Sequence, residues 1–131
     1  MIYASRVSAG FGAGDVEQIL LTARERNQKK AITGLLCFEG DNFLQCLEGG
    51  RGVVNELYRH ILTDQRHHCS TLLYYQAIAK RDFEAWDMGY FGLNKTNKNL
   101  LLRYAGQAEF DPFTMTGASA DALLCDMKNQ L

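Results

Sequence analysis

Proline is almost missing: Pro112 is the only one in 131 residues, which excludes proline-rich linkers and recognition tracts. Charge of either sign is not in excess. Fourteen Lys and Arg stand against 15 Asp and Glu, for a formal net charge of −1, so nucleic acid and anionic membrane are not expected as partners. No apolar run approaches the roughly 18–20 residues that cross a bilayer. The opening MIYASRVSAG has neither the basic region nor the long apolar core of a signal peptide. The four cysteines, Cys37, Cys46, Cys69 and Cys125, form no CxxC pair, which argues against a thiolate metal site and for reduced thiols packed as small hydrophobes. A cytoplasmic location is the expectation. Paired carboxylates and a Ser/His/Asp set do not stand out either, and a catalytic role is not expected.

What remains is a chain that is 47% hydrophobic, long enough for one domain with a real core. Ile2 to Val7 reads as a first strand. The glycine-rich Ala9–Gly14 that follows invites comparison with a dinucleotide loop, but the third glycine of G-x-G-x-x-G would fall on Asp15. Asp15 with Gln18 resembles a capping box, which satisfies the helix start internally and puts negative charge where a phosphate would sit. From about Asp15 to Asn27, Val16, Ile19, Leu20 and Ala23 recur at helical spacing.

The stretch Ile32–Gly49 reads as two strands around the turn Glu39-Gly40-Asp41-Asn42. A second helix carries Val53, Val54, Leu57, Tyr58 and Ile61. Ser70–Ala79 is expected as a fourth strand, and Ala85–Leu93 as a fifth that presents Trp86, Met88 and Tyr90 on one face. Strand, helix, strand, strand, helix, strand is the ferredoxin-like βαββαβ order, α+β, with both helices on one face of the sheet. In the hairpin both alternating sets, Phe43/Leu47 and Leu44/Cys46, are apolar, so the sheet needs cover on both sides. Leu100, Leu101, Leu102, Tyr104, Leu123, Leu124, Met127 and Leu131 predict two C-terminal helices that pack on the second face or are offered to another subunit. Residues 1–93 and 94–131 are therefore expected as a domain and a helical extension.

One residue resists a purely structural reading. Gln45 sits in the middle of Phe43-Leu-Gln-Cys-Leu47 and points the same way as Phe43 and Leu47. A buried carboxamide without partners costs roughly 1–3 kcal/mol. Tyr3, Asn27, Trp86 and Met88, by contrast, each have an ordinary structural reading taken alone. A cofactor-free interaction domain, or a small acyl-phosphate hydrolase on the same fold, remain the alternatives at this level.

The run of motifs I-Y-A-S, A-R-E-R-N, I-T-G-L-L-C-F, F-L-Q-C-L-E-G, D-Q-R-H-H and R-D-F-E-A-W-D-M-G, over residues 1 to about 91, resembles the BLUF domains, blue-light sensors using flavin. The tail is similar to that of short, stand-alone members ending in a helix pair. The resemblance implies a non-covalently bound flavin, FAD by default with FMN or riboflavin open, held between the two helices. It implies that Tyr3 donates an electron and a proton, and that Gln45 lies between that phenol and flavin N5/O4. Asn27 would meet the C4 carbonyl edge, and Arg66 and His67 the pyrimidine side. Trp86 and Met88 would report the state of Gln45 to the C-terminal helices and a downstream protein, in a chain expected to form homo-oligomers. Arg26 occupies a slot where members vary, so its contact is not carried over.

Overall fold

The computed structural model describes residues 1–93 and 98–131. Five strands, β1 (Ile2–Val7), β2 (Thr33–Glu39), β3 (Asn42–Glu48), β4 (His67–Tyr74) and β5 (Gly89–Gly92), form one sheet in the order β4-β1-β3-β2-β5. The first four are mutually antiparallel where they pair, which is the expected ferredoxin-like arrangement, and β5 adds parallel to β2 at the edge. Helices α1 (Ala13–Lys30) and α2 (Arg51–Ile61) cover one face; α3 (Lys98–Ala105) and α4 (Gly117–Lys128) cover the other. The expected boundary at 93/94 abuts residues 94–97, which lie outside the described residues.

The alternation of the hairpin decides this layering. Leu36, Phe43 and Leu47 pack under Val16 and Leu20 of α1 and Val54 and Leu57 of α2. Their strand neighbours Leu35, Cys37, Leu44 and Cys46 pack under Leu101 of α3 and Leu123, Leu124 and Met127 of α4. Each such fully buried side chain contributes roughly 1.5–3 kcal/mol. The apolar tail is thus the second cover of the sheet. Gly34 lets β2 approach β3 closely: a Cβ there would run into the backbone carbonyl of Cys46 and stand 3.3 Å from Met88 Cε.

Three local expectations need correction. Helix α1 starts at Ala13, not Asp15, with Gly12 as N-cap; Asp15 is the third helical residue, and its Oδ2 accepts the Gly12 N–H at 2.8 Å. Gln18 plays no part in that cap and donates to Thr22 Oγ1. The carboxylate still satisfies the helix start, so the glycine loop holds its own acid rather than a phosphate. Strand β4 runs from His67 to Tyr74, not Ser70 to Ala79. It is an edge strand whose only partner among the described residues is β1, and β1 pairs Val7 with His67 and Ile2 with Tyr74; beyond Tyr74, β1 has no further residue to pair with.

The third correction concerns β5, which is limited to Gly89–Gly92. Residues 81–88 form an irregular strap instead. Without strand alternation through the strap, Trp86 does not share a face with Met88 and Tyr90. Trp86 and Phe83 pack in the α3/α4 cluster, whereas Met88 lies in the α1/α2 cluster. Gly89 makes room for the indole, since a Cβ there would stand 2.8 Å from Trp86 Cε3.

Candidate functional site

Between α1, α2 and the sheet lies a cavity of about 230 Å³. Its apolar walls come from Ile19 and Ala23 on α1, Leu36 and Phe43 on the sheet, and Ile61 on α2. Tyr3 and Gln45 form part of its floor because β1 and β3 are neighbours in register, Tyr3 opposite Gln45. Both side chains are buried, at 4% and 5% exposure.

Here the carboxamide finds partners. The Tyr3 hydroxyl donates to Gln45 Oε1, and Gln45 Nε2 donates to Met88 Sδ at 3.4 Å. A phenol, an amide and a thioether therefore form one chain across the sheet, with the amide in the middle able to exchange its donor and acceptor ends. Burial pushes the Tyr3 phenol above its ordinary range, with the neighbouring Tyr58 adding to the shift. The Tyr58 ring tilts against Tyr3 at a centroid distance of 5.2 Å. Tyr3 is accordingly neutral at any physiological pH.

At the far end, Asp64 and Arg66 grip each other: Arg66 Nε donates to both carboxylate oxygens at 3.0 and 3.1 Å, and its backbone N–H adds a further bond at 2.9 Å. That hydrogen-bonded partner holds the Asp64 carboxyl below its ordinary range. His67, also in the lining, meets the Ile61 carbonyl through Nε2 at 2.7 Å. Arg26 lines the cavity from α1, and burial lowers its guanidinium pKa.

Of the residues singled out from the sequence, Tyr3, Gln45, Arg66 and His67 share this cavity. Met88 joins through its sulfur. Asn27 is fully buried but is not among the lining residues; its Nδ2 donates to Asp87 O at 2.7 Å. Trp86 does not reach Gln45, because it stacks near Phe83 on the other side of the sheet. Sequence reasoning missed Ser5, His60 and Asp64 as lining residues. The alternation of β1 carried a signal for Ser5, which shares a face with Tyr3.

Three buried polar atoms in this region have no hydrogen-bond partner among the described residues: Ser5 Oγ, Arg26 Nε and Asn27 Oδ1. Buried polar groups are normally paired, so an apolar-walled cleft with unpaired groups around it fits a flat heterocycle that carries its own donors and acceptors.

The family model described as "BLUF: Sensors of blue-light using FAD" matches residues 1–89. The chain belongs to the BLUF family. Among curated BLUF relatives, the blue light- and temperature-regulated antirepressor of Escherichia coli is 32% identical over 87% of the chain. The photoactivated adenylate cyclase subunit beta of Euglena gracilis is 32% identical over 62% of it. Both relatives are far longer: the matched region spans 27% of the first and 9% of the second. Among solved BLUF structures, photo-activated BlsA superposes with a TM-score of 0.89 at 30% identity, over 96% of this chain and 91% of that one. BlrB in its dark state gives 0.79 at 29% identity, over 99% and 94%. The family is one of blue-light sensors that use a flavin, and no described helix is long and apolar enough to cross a membrane.

Proposed function

We propose that this BLUF chain stores a blue-light signal as a changed hydrogen-bond pattern at Gln45. The observation that carries the reading is the continuous chain from Tyr3 O–H through the Gln45 amide to Met88 sulfur in the floor of the cavity. A bound flavin supplies the absorption of blue light and, when excited, the capacity to take an electron. Tyr3 would be the donor: a buried neutral phenol can release an electron and then its hydroxyl proton, the latter to Gln45 Oε1, which already accepts that hydroxyl, and both return to Tyr3 once Gln45 has rearranged, so no net oxidation remains. Gln45 then reverses its donor and acceptor ends by rotation or tautomerism, which ends its bond to Met88 sulfur and leaves a different pattern at the cavity edge. No covalent bond to the chain is required.

Several of this chain's residues would hold the ring. Ser5 and Arg26 would offer their unpaired groups, and Arg66 and His67 would meet the pyrimidine side. Asn27 keeps one Nδ2 hydrogen beyond the one given to Asp87, for a carbonyl edge. FAD is the flavin we assign, in keeping with the family description, in a cytoplasmic protein. Met88 and Trp86 would carry the change to α3 and α4, residues 94–131 serving as the output extension. There a protein partner or a second copy of the chain would read it. The Escherichia coli relative's name as an antirepressor supports a protein partner.

The test is a light-minus-dark absorption spectrum of protein reconstituted with excess FAD. The wild-type chain should be yellow and should shift reversibly to the red under blue light, and Gln45→Leu should keep the flavin and lose the shift. A colourless wild-type protein defeats the sensor reading. A normal shift in Gln45→Leu removes Gln45 from the mechanism.

A further inference from the structure

The strap 81–88 is the only described segment between β4 and β5 that touches both clusters, with Phe83 and Trp86 on the α3/α4 side and Met88 on the α1/α2 side. Its far half is held by single bonds to backbone carbonyls: Gly34 N–H to Trp86 O at 3.1 Å, Asn27 to Asp87 O, and Arg24 Nε to Met88 O at 3.0 Å. Its near half is held by something of a different kind. Glu48, the last residue of β3 and 5% exposed, accepts two consecutive peptide N–H groups: Asp82 on Oε1 at 2.7 Å and Phe83 on Oε2 at 3.0 Å.

A third donor, Thr33 Oγ1, completes the carboxylate at 3.1 Å, and that hydroxyl in turn accepts from Arg81 Nη1 at 3.0 Å. The peptide unit joining Asp82 and Phe83 is gripped from its other side too, because Lys128 of α4 donates to Asp82 O. Among the described residues Glu48 forms no ion pair. Its charge is satisfied by the strap and by Thr33. Charge-assisted bonds of this kind are roughly twice as strong as neutral ones.

Glu48 and Gln45 stand three residues apart on β3, so alternation sends them to opposite faces, and each holds one end of the same strap. We infer that Glu48 is a positioning residue for the photochemical site: by fixing the strap at Asp82 and Phe83 it sets Met88 sulfur against Gln45. This rests on the assignment of Gln45 as the switch. Met88 sulfur is the dark-state partner that the Gln45 amide leaves and must regain. A loosened strap therefore changes how fast the dark pattern returns. It leaves untouched the cavity walls that hold the flavin.

The test compares the full-length wild type, Glu48→Gln and Thr33→Val. A carboxamide at position 48 has one acceptor oxygen and turns its NH₂ toward a donor, so Glu48→Gln disrupts the strap with almost no change in volume. Thr33→Val removes the third donor and the acceptor of Arg81 Nη1 while both peptide N–H bonds to Glu48 stay, and it serves as the milder variant should Glu48→Gln fold poorly. In the apoprotein, ¹³C-methyl methionine NMR reads the Met88 methyl group, and acrylamide quenching reads Trp86, the single tryptophan. We expect Glu48→Gln to move the Met88 methyl resonance and to raise quenching about twofold. In the reconstituted protein we expect dark recovery to change by about tenfold, the factor that roughly 1.4 kcal/mol of lost positioning gives. Thr33→Val should change it in the same direction and less.

A lower melting temperature with the Met88 resonance unmoved would make Glu48 merely structural and overturn the inference. A moved resonance with an unchanged recovery rate would also overturn it. If the wild type shows no light response, the sensor reading has failed, and the Met88 resonance of the apoprotein then decides the claim about Glu48 alone.

Discussion

Replacing Gln45 by leucine should invert the effect of a second substitution, Tyr3→Phe. The Tyr3 hydroxyl is the donor to Gln45 Oε1, on a residue only 4% exposed. In the wild type, Tyr3→Phe removes that donor and should destabilise the apoprotein by about 0.5–1.5 kcal/mol, the net value of one hydrogen bond. In the Gln45→Leu background the hydroxyl is already unpaired. There Tyr3→Phe removes a buried orphan whose desolvation costs roughly 1–3 kcal/mol, and it should stabilise the protein. The coupling between the two positions is then about 3 kcal/mol. At a urea slope of about 2 kcal/mol per molar, which suits a domain of this size, that corresponds to about 1.5 M between the midpoint shifts in the two backgrounds. Urea unfolding of the four apoproteins in the dark, followed by Trp86 fluorescence, supplies the measurement. Equal shifts of the same sign in both backgrounds would show that the hydroxyl does not depend on Gln45, and the chain that carries the photochemical proposal would be broken.

Three further outcomes are expected. Gly34→Ala drives a methyl group into the Cys46 carbonyl and should lower stability by about 3 kcal/mol or more, since backbone has to move; a melting temperature within a degree or two of wild type would refute the close β2–β3 approach. Ala31 closes α1 in the left-handed region at φ 52°, so Ala31→Gly should stabilise by about 0.5–1 kcal/mol in thermal unfolding, and a loss of stability would count against that geometry. Asp64 is held below its ordinary range chiefly by the Arg66 hydrogen bond, so its contribution is fully present above its unfolded pKa, about 3.9, and falls away as pH drops through the lower folded value. Asp64→Asn should therefore lower stability at pH 7 and flatten the acid limb of the stability–pH curve, and an acid limb identical to wild type would exclude this source.

Much of the architecture was legible because alternation and topology reinforce each other. The two-faced apolarity of Leu35–Phe38 and Phe43–Leu47 required two covers, and the leucines of the tail supplied the second. Gln45 was legible as an outlier, an amide in an apolar strand. The strap was not legible, because the apolar 86, 88, 90 spacing mimics a strand. What ends the pattern is tertiary: the Glu48 carboxylate and the Gly34 N–H bend residues 82–86 to the far side of the sheet. The end of β4 was hidden for a similar reason, since Tyr75 and Ile78 read as strand residues until the length of β1 is known. Asn27 was expected at the cofactor; the structure places it outside the cavity lining, and its bond to Asp87 is a long-range contact that no spacing predicts.

The sheet has one further consequence, for how such a chain can change over time. Its two hydrophobic clusters share no side chain, and the side-chain layers lie on opposite sides of a continuous backbone. Away from the strap 81–88, which bridges the two sides, substitutions on one side should then combine with those on the other almost additively, within about 0.3–0.5 kcal/mol. Drift can proceed in the α3/α4 layer, and new surfaces can be tried there, while the α1/α2 layer around the cavity keeps its composition. The two covers of one cooperative fold can thus be inherited on separate schedules.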